Sequence, residues 1–289
     1  MIQRIVIIGT GLIGASVGLA LREAGFAGEI AGFDASAAEL VAARDAGAID
    51  RFARSRAEVL EEARGADVIV LAVPVLAILD WMHLLAPMLR AGQLVTDVGS
   101  TKLQITEAAA KLFPAGGASF LPGHPMAGKE SGGAALAEAK LFRDAMWLFT
   151  PAGDRPATAI EEEWRGWVAK FGARTLDLDA ARHDEICAWV SHLPQMLSTA
   201  LAALLEDTFG KDEARRAEID AIGGRALRET TRLGASPYSM WRDVALSNTE
   251  PVAATLLALE QRLQHIRENL KTPELRDEFL LANRFRSRR

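Results

Sequence analysis

The chain has 289 residues, a length that suits one large α/β unit or two packed domains, and two are expected. Apolar residues make up 49% and charged residues 25%, a balance that allows a buried core and excludes disordered and fibrous classes. The net charge of −5 gives no basic excess to displace counterions from a nucleic-acid backbone, so no nucleic-acid partner is expected. The one basic cluster, Arg284, Arg286, Arg288 and Arg289, reads as a solvated end. Cys187 is the only cysteine, so neither an intrachain disulfide nor a thiolate metal site is expected; no metal is assigned, and a reducing cytoplasm fits.

In chain order, residues 2–8 (IQRIVII) form a short β-branched run that stops at glycine, and residues 12–24 read as a helix closed by Gly25. Residues 29–33 repeat the strand and 37–46 the helix, stopped by Gly47. The glycine spacing separates this opening from a secretory signal, which its apolar run and Arg4 would otherwise suggest. Residues 68–73 are a continuous apolar run, as in a parallel strand buried on both faces, and 94–98 are another after a helix at 76–89. The stretch 68–79 is shorter than a membrane span of roughly 18 residues and contains Pro74, so no membrane partner is expected. Residues 119–122 and 146–150 supply two more short strands. This alternation predicts an α/β fold, a doubly wound parallel sheet with helices on both faces.

After residues 176–178 the apolar positions take up helical spacing, with helices predicted at 181–206, 215–231, 240–246 and 249–270. The boundary is therefore expected near Asp179, giving units 1–179 and 180–289. Residues 188–205 are apolar nearly all round, as in a helix packed inside a bundle or against a second subunit. The C-terminal half is expected to be all-α and to form a homodimer. The chain ends soon after its last predicted long helix, so no separate regulatory domain is expected.

Gly9-Thr10-Gly11-Leu12-Ile13-Gly14 matches GxGxxG where it must to bind a dinucleotide, after a strand and opening a helix. Gly9 permits the tight turn, Gly11 lets backbone approach a pyrophosphate, and Gly14 allows close helix–strand packing, while Leu12 and Ile13 open the anion-facing helix. Asp34, about 20 residues on, ends the second strand where a carboxylate accepts from ribose hydroxyls. With Ala35 and Ser36 following and no adjacent arginine, NAD is favoured over NADP. Val73 and Pro74, at the end of the 68–73 strand, belong to the crevice on the nicotinamide side.

A Rossmann unit says only that a dinucleotide binds; function has to come from the site. Residues 96–102 (TDVGSTK) and 123–130 (GHPMAGKE) both follow strands, at the edge where open α/β sheets bind ligands. With GTGLIG, the SHLPQ segment at 191–195, and Arg228-Glu229-Thr230-Thr231-Arg232 leading to Met240-Trp241-Arg242-Asp243, the ordered set resembles the prephenate/arogenate dehydrogenase family over essentially the whole chain.

That resemblance implies an NAD-dependent enzyme that oxidises and decarboxylates prephenate or arogenate on the route to tyrosine. It implies that His124 accepts the ring-hydroxyl proton while hydride leaves for NAD+, a task suited to neutral imidazole. It further implies that Ser100 hydrogen-bonds to the hydroxyl or the imidazole, that Glu130 gates or orients substrate, and that Arg232 holds a carboxylate through its planar fork. His192 and Trp241 would line the pocket, although a core role explains Trp241 equally well. Standing alone, His124 would read as a turn residue before Pro125; the ordered motifs reverse that. Arg225 and Arg228 read as surface charges, and His83, His183 and His265 receive no role.

One departure concerns specificity. Many prephenate-oxidising relatives read SHLPH, whereas this chain has Gln195 at the last position. A neutral amide that donates and accepts is compatible with the ammonium group of arogenate, so the reading leans toward arogenate or dual specificity. Two alternatives stay open. A β-hydroxyacid dehydrogenase or imine reductase is disfavoured because Lys211 is the only lysine between Asp179 and Asn269. A non-catalytic NAD-sensing dimer would have no reason to assemble His124, Ser100 and Arg232.

Overall fold

The computed structural model describes residues 1–153 and 155–288, so Arg289 of the basic tail lies outside the described residues. The first elements alternate: β1 (Arg4–Ile8), α1 (Leu12–Glu23), β2 (Glu29–Phe33), α2 (Ala37–Asp45), β3 (Arg51–Phe52), α3 (Arg56–Gly65), β4 (Val68–Leu71), α4 (Val75–Leu85), β5 (Leu94–Asp97), α5 (Leu103–Leu112) and β6 (Ser119–Leu121). The six strands form one parallel sheet in the order β3-β2-β1-β4-β5-β6. The order reverses at β1 and β4, and the crevice beyond their C-terminal ends is where such a sheet binds ligands.

The apolar strands explain why the sheet is sandwiched. Ile5, Ile7, Val68, Val70 and Leu94 point into one core, while Val6, Ile8, Ile69, Leu71 and Val95 point into the other. Each is at most 2% exposed, and burying one such side chain contributes about 1.5–3 kcal/mol. Both faces must therefore be covered by helices, as the continuous run at 68–73 predicts.

The expected strand at 146–150 forms, but in a different sheet. β7 (Gly123–Pro125), β8 (Met146–Phe149) and β9 (Arg174–Asp177) make a three-stranded sheet in which β7 and β8 run antiparallel and β8 and β9 parallel. The chain turns at Pro122, and Gly123 lies so close to Asp97 and Trp147 that a Cβ there would sit 2.8–2.9 Å from them. β7 thus leaves the main sheet at the C-terminal end of β5. Between β8 and β9 runs α6 (Ala159–Lys170), which the sequence reading passes over although Thr158 and Glu161 form a capping box at its start.

Asp179 caps the first helix of the C-terminal unit, accepting from the Arg182 N–H. That unit contains α7 (Ala180–Cys187), α8 (Leu193–Phe209), α9 (Glu213–Ile222), α10 (Arg225–Thr231), α11 (Tyr238–Ser247), α12 (Thr249–Glu268) and α13 (Glu274–Arg286). The long helix predicted at 181–206 is α7 and α8 joined by a π-helical turn over Ala188–His192. Pro194, which has no N–H to continue the ladder, sits just inside α8. The segment 215–231 breaks at Gly223 and Gly224 into α9 and α10, and α13 extends the helical unit past the predicted last helix. Arg284 and Arg286 lie in its last turn. Among the described residues, no helix is long and apolar enough to cross a membrane.

Candidate active site

The glycine turn has the form a dinucleotide needs. Gly9 adopts φ 94°, and a Cβ on it would sit 2.2 Å from the Ala72 carbonyl oxygen, with Val73 packed over the same turn. A Cβ on Gly14 would meet the Gly9 carbonyl at 1.8 Å, whereas one on Gly11 would meet nothing within 4 Å. Two glycines are thus required by packing, and the third leaves open the space through which a pyrophosphate approaches backbone. Leu12 and Ile13 begin α1, which has neither a side-chain cap nor an acidic residue in its first turn, so its N-terminal partial charge faces this opening unopposed. Asp34 sits at the end of β2 and accepts from the N–H groups of Thr10 and Ser36 at 2.8 and 2.9 Å. Pro74 caps α4, and the N–H of Leu76 in its first turn donates to Asp243 of α11 at 3.3 Å. The helical unit is thereby tied to the crevice.

His124 is central to β7 and 7% exposed. Its position is set from below by an ion pair between the last residue of β5 and the residue that caps α5. Lys102 and Asp97, both fully buried, bond to each other; Lys102 Nζ also donates to the Gly123 carbonyl at 2.8 Å, and Asp97 accepts from the Gly99 and Gly123 N–H groups. Burial raises the Asp97 carboxyl and lowers the Lys102 ammonium, each opposed by the other's charge.

His124 meets a partner to which the sequence reading gave no role. Its Nδ1 lies 2.9 Å from His183 Nε2, and His183 Nδ1 lies 2.8 Å from Asp184 Oδ1. The Asp184 carboxylate also accepts from the Lys102 and Leu103 N–H groups at the start of α5. With His183 Nδ1–H donating to Asp184, His183 Nε2 accepts from His124 Nδ1–H, which leaves the lone pair of His124 on Nε2. Burial first, then the neighbouring His183, Lys102 and His192, holds the His124 imidazole well below its ordinary pKa, so it is neutral around pH 7. Cys187, one helical turn after His183, has its Sγ 3.6 Å from His183 Nε2, and burial pushes its thiol up to about 12. The lone cysteine thus has two buried imidazoles beside it, a juxtaposition that its isolation in sequence concealed.

His192 ends the π-helical turn and is 1% exposed. Burial lowers it to about 4, so it too is neutral. The Asn248 amide lies 3.2 Å from its Nδ1 and donates to the Asp184 carbonyl, so His192 carries its proton on Nε2, a buried donor with no partner. Trp241 stacks edge-on against this ring at 5.9 Å, and its Nε1–H is likewise buried without an acceptor. Ser100 is half-buried between Gly99 and Thr101, whose hydroxyl is tied to Ser247 at 2.7 Å. Glu130, on the loop after His124, pairs with Arg232 on the turn after α10.

The Gln195 amide is engaged within the chain. It is 3% exposed; its Nε2 donates to the Leu233 carbonyl at 2.7 Å and to Thr199, and its Oε1 accepts from Ser236. It fixes the turn that carries Arg232. The lean toward arogenate, which assumed direct contact with substrate, loses its basis because both ends of the amide are satisfied within the chain.

A doubly wound sheet with a glycine turn, and a helical unit closing an imidazole cluster against its switch point, define a two-unit dinucleotide-dependent dehydrogenase. The chain belongs to the prephenate dehydrogenase family: the family's nucleotide-binding domain matches residues 17–176 and its dimerization domain residues 179–283. It is 36% identical over 267 residues to a prephenate dehydrogenase of Lactococcus lactis subsp. cremoris, covering 92% of this chain and 70% of that one. Its fold matches the crystal structure of prephenate dehydrogenase from A. aeolicus in complex with hydroxyphenyl propionate and NAD+, with TM-score 0.87, 26% identity, and 100% and 98% of the two chains covered. It also matches a Synechocystis arogenate dehydrogenase, with TM-score 0.76, 28% identity and 99% of each chain. Family membership decides against the β-hydroxyacid dehydrogenase and imine reductase readings.

Proposed function

We propose that the chain is an NAD-dependent prephenate/arogenate dehydrogenase of tyrosine biosynthesis, and that His124 is its general base. The observation that carries the assignment is the hydrogen-bonded series Asp184, His183, His124, which leaves a neutral imidazole with its lone pair on Nε2. The dinucleotide fits Gly9, Gly11, Leu12, Ile13, Gly14 and Asp34, with Val73 and Pro74 at the nicotinamide end. Bound NAD+ supplies the hydride acceptor.

His124 Nε2 takes the proton of the ring hydroxyl as hydride leaves its carbon, and Ser100, whose hydroxyl has no partner among the described residues, orients that hydroxyl. Loss of the ring carboxylate as CO2 restores aromaticity, so the remaining task of the protein is to hold substrate still. Arg232 grips a carboxylate, with Glu130 as the group it exchanges for substrate. The unpartnered N–H groups of His192 and Trp241 suit further acceptor oxygens, as in a substrate bearing two carboxylates.

Exposed apolar side chains gather on the helical unit, including Trp189, Val190 and Leu197, Leu246 on α11, Leu257 and Leu263 on α12, and Phe279 and Leu280 on α13. These and the match to a dimerization domain support a homodimer. The cofactor and the single cysteine support a cytoplasmic setting, with the boundary between the units at Asp179.

The test is direct: purified chain with NAD+ and either prephenate or L-arogenate should produce NADH and CO2, and no turnover with either compound removes the assignment. Comparing kcat/KM for the two decides the preferred substrate.

A further inference from the structure

The cluster that supports the base has a second capacity. His124 Nδ1 lies 2.9 Å from His183 Nε2, which lies 3.6 Å from Cys187 Sγ; the three residues each offer a ligand atom within 4.8 Å of the others and are 7%, 0% and 1% exposed. We propose that these atoms form a site for a borderline-soft divalent cation, zinc by preference, whose occupation switches the dehydrogenase off. The inhibitory half of the proposal rests on His124 being the base; the binding half does not.

The geometry is close to what zinc requires. Bonds of about 2.0–2.1 Å to nitrogen and 2.3 Å to sulfur at tetrahedral angles put nitrogens about 3.4 Å apart and nitrogen and sulfur about 3.6 Å apart. The two measured edges are 2.9 Å for His124–His183 and 3.6 Å for His183–Cys187. The His124–His183 edge needs to lengthen by about 0.5 Å and the third edge, within 4.8 Å, to shorten by at most about 1.2 Å, shifts within reach of side-chain rotation. Two ligands come from one helical face, since His183 and Cys187 are four residues apart on α7. Asp184 behind His183 Nδ1 completes the carboxylate–histidine–metal arrangement that orients a ligating imidazole. Charge also balances: the thiolate and the Asp184 carboxylate offset a dication, while nearby Lys102 is already matched by Asp97. Three protein ligands leave the fourth position to water, reached past His124, the most exposed of the three.

Binding inactivates by moving a proton. Zinc displaces the Cys187 thiol proton to solvent. It also takes the Nδ1 lone-pair position of His124, so the Nδ1 proton relocates to Nε2 with no net change on the ring. The base then presents N–H to the substrate hydroxyl and has no lone pair to accept its proton.

The 289-residue chain, treated with EDTA and desalted, is titrated with cobalt(II) chloride. A thiolate-to-cobalt charge-transfer band with tetrahedral visible bands, saturating at one equivalent per chain and displaced by zinc, is expected. Cys187→Ala and Cys187→Ser should both lose the band while turning over normally without metal. Losing only a carboxylate behind a bound histidine costs roughly 10–100-fold in affinity. The zinc needed for half-inhibition should therefore rise by that factor or more in the cysteine variants. No band in the unaltered chain, or the same band in both variants, overturns the site. Because the cobalt spectrum needs no turnover, an inactive chain leaves this test intact, and metal binding with undiminished turnover overturns the role of His124 and not the site.

Discussion

The Glu130 carboxylate and the Arg232 guanidinium form an ion pair across the crevice, joining the loop after His124 to the turn after α10. The Arg232 side chain is 59% exposed and that of Glu130 32%, so the pair is screened and is worth about 0–1 kcal/mol. In the proposed reading, a substrate carboxylate displaces Glu130 at little cost.

Truncating Arg232 to Ala should raise KM for prephenate by roughly 10–150-fold, the value of about 1.5–3 kcal/mol for a hydrogen bond to a charged group. NAD+ affinity should not change. Glu130→Gln removes only the competitor and should shift KM by less than about fivefold. Steady-state kinetics separates the two; an equal KM effect from both variants would mean that the pair acts as a unit.

The pH profile follows from the burial of His124. Its pKa lies well below 6.5, the active form is neutral, and the neutral fraction persists as pH falls until that lowered value is reached. The acidic limb of kcat/KM, which reports the free enzyme, should therefore fall below pH 6.5, and a limb above 6.5 contradicts a buried neutral base. His124→Asn should lower kcat by about 10²–10⁴-fold with NAD+ binding intact.

Asp34 accepts from the N–H groups of Thr10 and Ser36, which ties it to the glycine turn, and in the proposed reading it also meets the ribose. Asp34→Ala should weaken NAD+ binding and narrow the preference for NAD over NADP, because the charge facing a 2′-phosphate is gone. Equilibrium titration with both cofactors checks this, and unaltered affinities would exclude Asp34 from the ribose site.

Gln195→Leu should leave the half-buried Leu233 carbonyl and Ser236 hydroxyl without these partners and destabilise the fold by about 1 kcal/mol. KM should rise because the Arg232 turn loosens. The ratio of prephenate to arogenate kcat/KM should stay nearly constant, and a large change in that ratio would return Gln195 to direct contact with substrate.

Periodicity and glycine spacing determined the sheet on their own. A strand buried on both faces has to be apolar throughout, and a glycine turn before a helix leaves few other folds. The order of motifs likewise named His124, Arg232 and the family. Short elements such as β3 and α3 were illegible because few of their side chains are buried, so they carry little pattern; α3 buries only Val59 and Ala63. Tertiary structure alone decided that 146–149 pairs with β7 instead of joining the main sheet, and that His183, 59 positions from His124, sets its tautomer. It also turned Gln195 inward. Contacts of that kind depend on which faces meet once both units have packed, and one-dimensional spacing does not encode them.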